Sequence, residues 1–129
     1  FGSVRRGIEA AESRFEGEIE GRRAVMVTFL SEVAQNYLTL RGTQYQLEIT
    51  RRNVEAQRET LELQRLRLQA GITTDLTVAQ AEAQLTNTEA QIPALETRIR
   101  QTVHRIGVLL GREPNGLAED LGQPKPIPA

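Results

Sequence analysis

The stretch Leu68-Gln69-Ala70-Gly71-Ile72-Thr73-Thr74-Asp75-Leu76 decides the fold, because it carries the signals that end one helix and begin another. Gly71 can adopt the left-handed backbone conformation that ends many helices. Thr74 or Asp75 can accept hydrogen bonds from the first N–H groups of a following helix, and the helix dipole favours a negative charge at Asp75. The stretch therefore predicts a tight turn over residues 71–75 between two helices.

Apolar residues recur at intervals of seven on both sides of this turn. Each residue of the first row lies as far before position 73 as its counterpart in the second row lies after it, and antiparallel helices require this symmetry. We therefore predict an all-α fold, a long antiparallel coiled-coil helical hairpin with unequal arms and an irregular C-terminal tail. The predicted seam consists of Leu40, Leu47, Val54, Leu61 and Leu68 in the first helix and Val78, Leu85, Ile92, Ile99 and Ile106 in the second.

Arginines of the first helix and glutamates of the second also match across the turn, about a centre half a residue beyond position 73. Rows that flank an antiparallel seam face each other, so the pattern predicts cross-helix ion pairs. An exposed pair contributes only about 0.2–1 kcal/mol, so these pairs fix the register of the helices more than they stabilise them. The predicted pairs are Arg51 with Glu96, Arg58 with Glu89 and Arg65 with Glu82.

The first predicted helix is much longer than the second. No proline interrupts residues 4–68, so one helix can cover about residues 3–70. Residues 1–35 have no counterpart in the second helix, yet they include large apolar side chains. We expect another chain, or a part of the protein outside this sequence, to cover that surface.

The second predicted helix covers about residues 75–110, with Gly111 as its end. Pro93 lies near its middle, where it predicts a bend over residues 90–93 rather than a break. The hairpin is therefore expected to occupy residues 1–112.

A linker rich in proline and glycine is predicted for residues 113–129, with at most one short helical turn at residues 117–121. At the other end the sequence lacks an initiator methionine and begins Phe1-Gly2-Ser3. We expect this beginning to be an internal cut and the chain to be a fragment.

Composition argues against several functions. Acidic and basic residues nearly balance at a net charge of −1, so nucleic acid is not an expected partner. No apolar run approaches the roughly 20 residues of a membrane-spanning helix. There is no cysteine, and His104 is the single histidine, so the sequence predicts no metal site and no cofactor. Two helices alone provide no catalytic pocket, and we predict that the chain is not an enzyme.

Each helix carries a second row of small and apolar residues on the side away from the seam. These two rows follow the same symmetry about the turn. A hairpin with apolar surface on both flanks can pack sideways against other hairpins, and a closed ring of helices is the expected product. The rows are Ile49, Ala56, Leu63 and Ala70 in the first helix and Leu76, Ala83 and Ala90 in the second.

Five segments, in this order, carry a family resemblance: Phe1-Gly2-Ser3-Val4-Arg5-Arg6, Glu32-Val33-Ala34-Gln35-Asn36-Tyr37-Leu38-Thr39-Leu40-Arg41-Gly42, Ala70-Gly71-Ile72-Thr73-Thr74-Asp75-Leu76, Ala79-Gln80-Ala81-Glu82-Ala83-Gln84-Leu85 and Val108-Leu109-Leu110-Gly111-Arg112-Glu113-Pro114. Over nearly all of its length the chain resembles the first periplasmic helical hairpin of the TolC-like outer-membrane efflux proteins, the outer-membrane factors of tripartite pumps. None of the segments is diagnostic alone, but the set is specific.

The resemblance implies a function. It implies a homotrimer in the outer membrane, with this segment in the periplasm as part of an α-helical export conduit and with membrane contact only through a barrel outside this sequence. The partners it implies are a periplasmic adaptor protein and an inner-membrane transporter. It places the adaptor-binding tip at Arg67, Leu68, Gly71, Ile72, Thr73, Thr74 and Asp75, and it assigns no gate residue to this hairpin.

Two other interpretations stay open at this point. The hairpin could instead be the coiled-coil hairpin of a periplasmic adaptor, although that predicts lipoyl-like half-motifs and β segments at its ends, and none are visible. It could also be a purely structural coiled coil, which predicts self-association that does not depend on the turn.

Overall fold

The computed structural model describes the backbone of residues 2–113, 116–123 and 125 and, apart from residues 3, 4 and 7–13, their side chains. These residues form helices and no strand, which confirms the predicted all-α fold. The chain divides into two units, Phe1–Gln35 and Asn36–Ala129, and the hairpin lies in the second. The helices are α1 (Gly2–Gln69), α2 (Asp75–Glu89), α3 (Ile92–Leu109) and the short α4 (Ala118–Gly122).

Two apolar clusters lie along the seam of the hairpin. The turn-side cluster contains Val54, Leu61 and Leu85, with Val78, Ala81 and Ile92 packed against it. The far cluster contains Leu40, Val103, Ile106 and Leu117, with Tyr37, Ile99 and Leu121 packed against it. Full burial of one such side chain stabilises a fold by about 1.5–3 kcal/mol, so these clusters are the main force that holds the helices together.

All ten residues of the predicted seam are at least half-buried. Leu40, Val54, Leu61, Leu85 and Ile106 are buried, and the other five are half-buried. Leu47 and Ile99 are half-buried because they line an open cavity of about 470 Å³. The apolar row therefore packs most tightly at Val54, Leu61 and Leu85 and at the far end of the hairpin, whereas Leu68 and Val78 nearest the turn are half-buried.

A second seam row lies three residues after the first, and it is largely polar. Thr43 and Thr50 of α1 and Thr88 and Thr102 beyond the turn are buried. Each threonine hydroxyl donates to the backbone carbonyl four residues earlier, at 2.8–3.0 Å. All four buried hydroxyls therefore have a hydrogen-bond partner. Together the two rows have the alternating spacing of a coiled coil.

The second predicted helix is divided into α2 and α3 by Ala90 and Gln91, just before Pro93, where the sequence predicts a bend without a break. Proline has no N–H group to donate to the carbonyl of Glu89, where α2 ends. The N–H of Gln91 donates instead to the carbonyl of Thr88, three residues earlier, at 3.2 Å. Because Ala90 and Gln91 keep right-handed helical dihedrals, the chain continues directly into α3.

The tail after α3 packs against the hairpin in its described part, whereas the sequence predicts a linker. Gly111 has φ +63°, and the N–H of Arg112 donates to the carbonyl of Gly107 at 2.9 Å, which ends α3 and turns the chain back. Leu117 then enters the far cluster, and α4 forms the single helical turn that was expected. Residues 114, 115, 124 and 126–129 of the predicted linker lie outside the described residues, as does Phe1.

The first unit is helical over residues 2–35 and exposes many large apolar side chains. Phe15, Val25, Met26 and Leu30 are all exposed. Among the described residues, no helix combines the length and the apolar character needed to cross a membrane.

Candidate functional site

The turn between α1 and α2 has a fixed backbone geometry. Gly71 has φ +71°, in the left-handed region that favours glycine. The N–H of Ile72 donates to the carbonyl of Arg67 at 2.8 Å, and the N–H of Gly71 donates to the carbonyl of Leu68 at 2.9 Å. This pair of bonds is a Schellman motif, which satisfies carbonyls at the end of α1 that have no partner within the helix.

Thr74 starts the next helix. Its backbone is extended, with φ −112° and ψ 157°, and its hydroxyl accepts a hydrogen bond from the N–H of Thr77 at 3.4 Å. Asp75 follows in the first turn of α2, where its charge faces the positive end of the helix dipole. Thr74 is therefore the helix cap, a choice that the sequence left open between these two residues.

Ile72 is the most conspicuous side chain of the turn. It is 74% exposed, although its backbone is held by the Schellman motif. Leu66 and Leu76 beside it are also exposed, and the sequence did not assign them to the tip. These exposed apolar side chains gain nothing from burial within the chain, which makes the turn a candidate docking surface.

The structure places the other residues of the predicted tip around Ile72. Arg67, Gly71, Thr74 and Asp75 are exposed, whereas Leu68 and Thr73 are half-buried. Leu68 also belongs to the predicted seam, so its side chain faces the hairpin more than the solvent. The surface that a partner can reach at the tip is therefore Ile72 with its exposed neighbours.

The predicted cross-helix ion pairs are confirmed. Arg51 and Arg58 each place Nη2 2.8 Å from a glutamate Oε1, that of Glu96 and that of Glu89 respectively. Arg65 lies 3.7 Å from Glu82. All of these side chains are exposed at their charged ends, so the pairs set the register of the helices and contribute little to stability.

The flanks of the hairpin expose the second apolar rows. Ile49, Leu63 and Leu76 are exposed, and so are the alanines between them. In the register that the ion pairs fix, several levels set a large residue on one flank against a small residue on the other: Leu76 lies level with Ala70, and Leu63 lies level with Ala83. The next level has alanine on both flanks, Ala56 and Ala90, and farther from the turn exposed His104 lies level with exposed Gly42.

This arrangement defines a surface suited to side-by-side packing. If one hairpin lies beside another at the same level, Leu76, Leu63 and His104 each meet a small residue of the neighbouring flank. Small residues let helices approach closely, and interdigitation of large and small groups gives dense packing. The rows predicted from the sequence include the alanines, but they do not include His104 and Gly42.

The helical fold of this chain is similar to part of a solved outer-membrane channel. Residues 1–112 match the family model "Outer membrane efflux protein", and the chain belongs to that family. It is a family of transport proteins, and the match favours the channel over the adaptor as the source of this hairpin.

Relatives extend this assignment. Nodulation protein T of Rhizobium leguminosarum bv. trifolii is 29% identical over the whole chain, which spans 28% of that protein. Fusaric acid resistance protein FusA of Burkholderia cepacia is 29% identical over 97% of the chain, which spans 23% of it. The solved structure of the outer-membrane channel OprN is 36% identical, with a TM-score of 0.76 over 80% of this chain and 23% of that one. The chain thus spans about a quarter of the length of these proteins.

Proposed function

We propose that this segment forms part of the wall of the periplasmic conduit of an efflux channel and that its tip docks a periplasmic adaptor protein. The observation that carries the docking role is the exposure of Ile72 on a turn whose backbone is fixed by hydrogen bonds. The full-length protein acts as a homotrimer in the outer membrane, and this segment lies in the periplasm. The adaptor connects it to an inner-membrane transporter.

The tip supports this role through pre-organisation. Because the Schellman motif and the Thr74 cap already order the turn, a partner does not have to order it on binding. Ile72 supplies an apolar anchor, and the charges of Arg67 and Asp75 beside it can set the orientation of the partner. The partner surface that fits is an apolar recess with polar groups at its rim.

The flanks support the role in the conduit wall. At three levels a large residue of one flank lies opposite a small residue of the other, so neighbouring hairpins can pack with heterologous contacts, which close into a ring when the rotation between hairpins allows it. The exposed apolar side chains of residues 15–30 supply further surface for neighbouring helices. The wall then consists of helices packed side by side, with no side chain of this segment required for chemistry.

Replacement of Ile72 tests the docking role. In the full-length protein, Ile72→Ser should abolish efflux while the trimer still assembles in the membrane, because the side chain is exposed and has no packing role within the hairpin. Loss of one apolar anchor should weaken adaptor binding about tenfold or more. Efflux of a fluorescent substrate from cells and native electrophoresis of the membrane fraction measure the two properties.

The matched control is Val108→Ser. Val108 is 70% exposed on α3, far from the turn, so the change removes a similar apolar surface elsewhere on the hairpin. Efflux should persist in this control. Normal efflux by Ile72→Ser would refute the docking role of the tip.

A further inference from the structure

Arg41 is an unusual residue for the middle of a long helix, because its charged side chain is buried. Only 2% of its surface is exposed, and no carboxylate among the described residues forms an ion pair with it. Its guanidinium lies 4.9 Å from the centre of the Tyr37 ring, and its Nη1 donates to Gln44 Oε1 at 2.7 Å. Burial of a charge is costly unless hydrogen bonds compensate for it. Nε of Arg41 is buried without a hydrogen-bond partner, so the partners of Nη1 compensate for the charge and indicate the role of this residue.

Those partners lie in the tail. Nη1 of Arg41 also donates to the carbonyl of Gln123 at 2.7 Å. Gln44, itself buried, donates through Nε2 to the carbonyl of Leu121 at 2.7 Å and to that of Gly122 at 3.3 Å. Three consecutive carbonyls at the end of α4, which have no donor within that short helix, are thus held by two side chains of α1.

The same segment is attached by apolar contacts at its other end. Leu117 is buried in the far cluster with Leu40, Val103 and Ile106, and Leu121 packs against that cluster. The described part of the tail therefore leaves α3 at Gly111, crosses the far cluster and contacts α1 at Gln123. A segment of seven residues with two apolar anchors and three side-chain hydrogen bonds has few contacts compared with the hairpin seam, so its opening requires less free energy than opening of the seam.

We propose that residues 117–123 form a strap that Arg41 and Gln44 latch onto α1, and that this strap opens as a unit while the hairpin stays folded. The latched strap holds α1 and α3 together at the end of the hairpin opposite the turn. When the strap opens, water replaces the carbonyls around Arg41, so the open form carries no uncompensated buried charge. This inference does not depend on the role of the tip.

The substitution Gln44→Glu distinguishes loss of the latch from a general loss of hairpin stability. The glutamate still accepts from Arg41, but it cannot donate to the carbonyls of Leu121 and Gly122, and its charge repels them. In the full-length protein, hydrogen exchange of a peptide covering 117–123 should accelerate about tenfold or more. Exchange of peptides within 54–68 and 78–92, which contain the turn-side cluster, should keep the wild-type rate.

Two further variants complete the test. Arg41→Met keeps most of the side-chain volume but removes the donor, and it should also accelerate exchange of the strap. Gln46→Glu is the matched control, because Gln46 is exposed on the same helix, and it should leave the strap unchanged. Wild-type exchange of 117–123 in both Gln44→Glu and Arg41→Met, or equal acceleration of the strap and of 54–68, would overturn the proposal.

Discussion

Two glycines of this chain affect its stability in opposite ways, and the backbone conformation at each glycine decides the direction of the effect. Gly71 has φ +71°, a conformation that other L-residues adopt only with strain. Gly42 lies within α1, where a methyl group would meet no atom within 4 Å. The first glycine is required by the turn, whereas the second weakens its helix.

This contrast predicts opposite effects of the same substitution. Gly71→Ala should lower the free energy of unfolding by about 1 kcal/mol, because alanine is strained in the left-handed region. Gly42→Ala should raise it by up to about 1 kcal/mol, because alanine favours the helix. Denaturant unfolding followed by circular dichroism measures both, and a shift of the same sign in the two variants would contradict the assignment of the turn.

At the scale of the elements, the hairpin is held by one apolar row and one largely polar row. The polar row contains one group that burial leaves without a partner, because Oε1 of Gln57 is buried and accepts no hydrogen bond. An unsatisfied buried group lowers stability by about 1–3 kcal/mol. The seam is therefore less stable than its length allows.

Gln57→Leu should stabilise the hairpin. Leucine extends the apolar turn-side cluster and removes the unsatisfied oxygen, so the free energy of unfolding should rise by about 1 kcal/mol. Gln46→Leu, at an exposed position of the same helix, is the control and should have little effect. Thermal unfolding compares the two, and a lower melting temperature for Gln57→Leu than for the control would contradict the described seam.

The elements also show how far the sequence could predict the fold. The apolar seam and the ion pairs followed from spacing alone, because both repeat every seven residues about one turn. The polar row escaped notice, since threonine and glutamine usually lie on helix surfaces. Attachment of the tail was not predicted for the same reason, because the side chains that hold it, Arg41 and Gln44, are polar residues of a kind that usually lies on helix surfaces. The interruption of the helix before Pro93 was not predicted, because residue spacing does not show whether the N–H that proline lacks leads to a bend or to an interruption.

At the scale of the whole molecule, the chain is one segment of an outer-membrane efflux protein. Its tip, its flanks and its first unit all present apolar surface that the segment does not itself bury. The backbone of the tip is held by hydrogen bonds and Ile72 is its most exposed apolar side chain, whereas the flanks are long and carry both large and small residues. Such a division suits one surface for an adaptor and two for neighbouring helices.

Site-specific photo-crosslinking in cells that express the full-length protein and its pump partners tests the central claim most directly. A photo-reactive amino acid at position 72 should form an adduct with the periplasmic adaptor, whereas the same amino acid at position 108 should form none. Both native residues are apolar and similarly exposed, so the comparison isolates position on the hairpin. Absence of an adaptor adduct at 72, or equal adducts at both positions, would contradict docking through the tip.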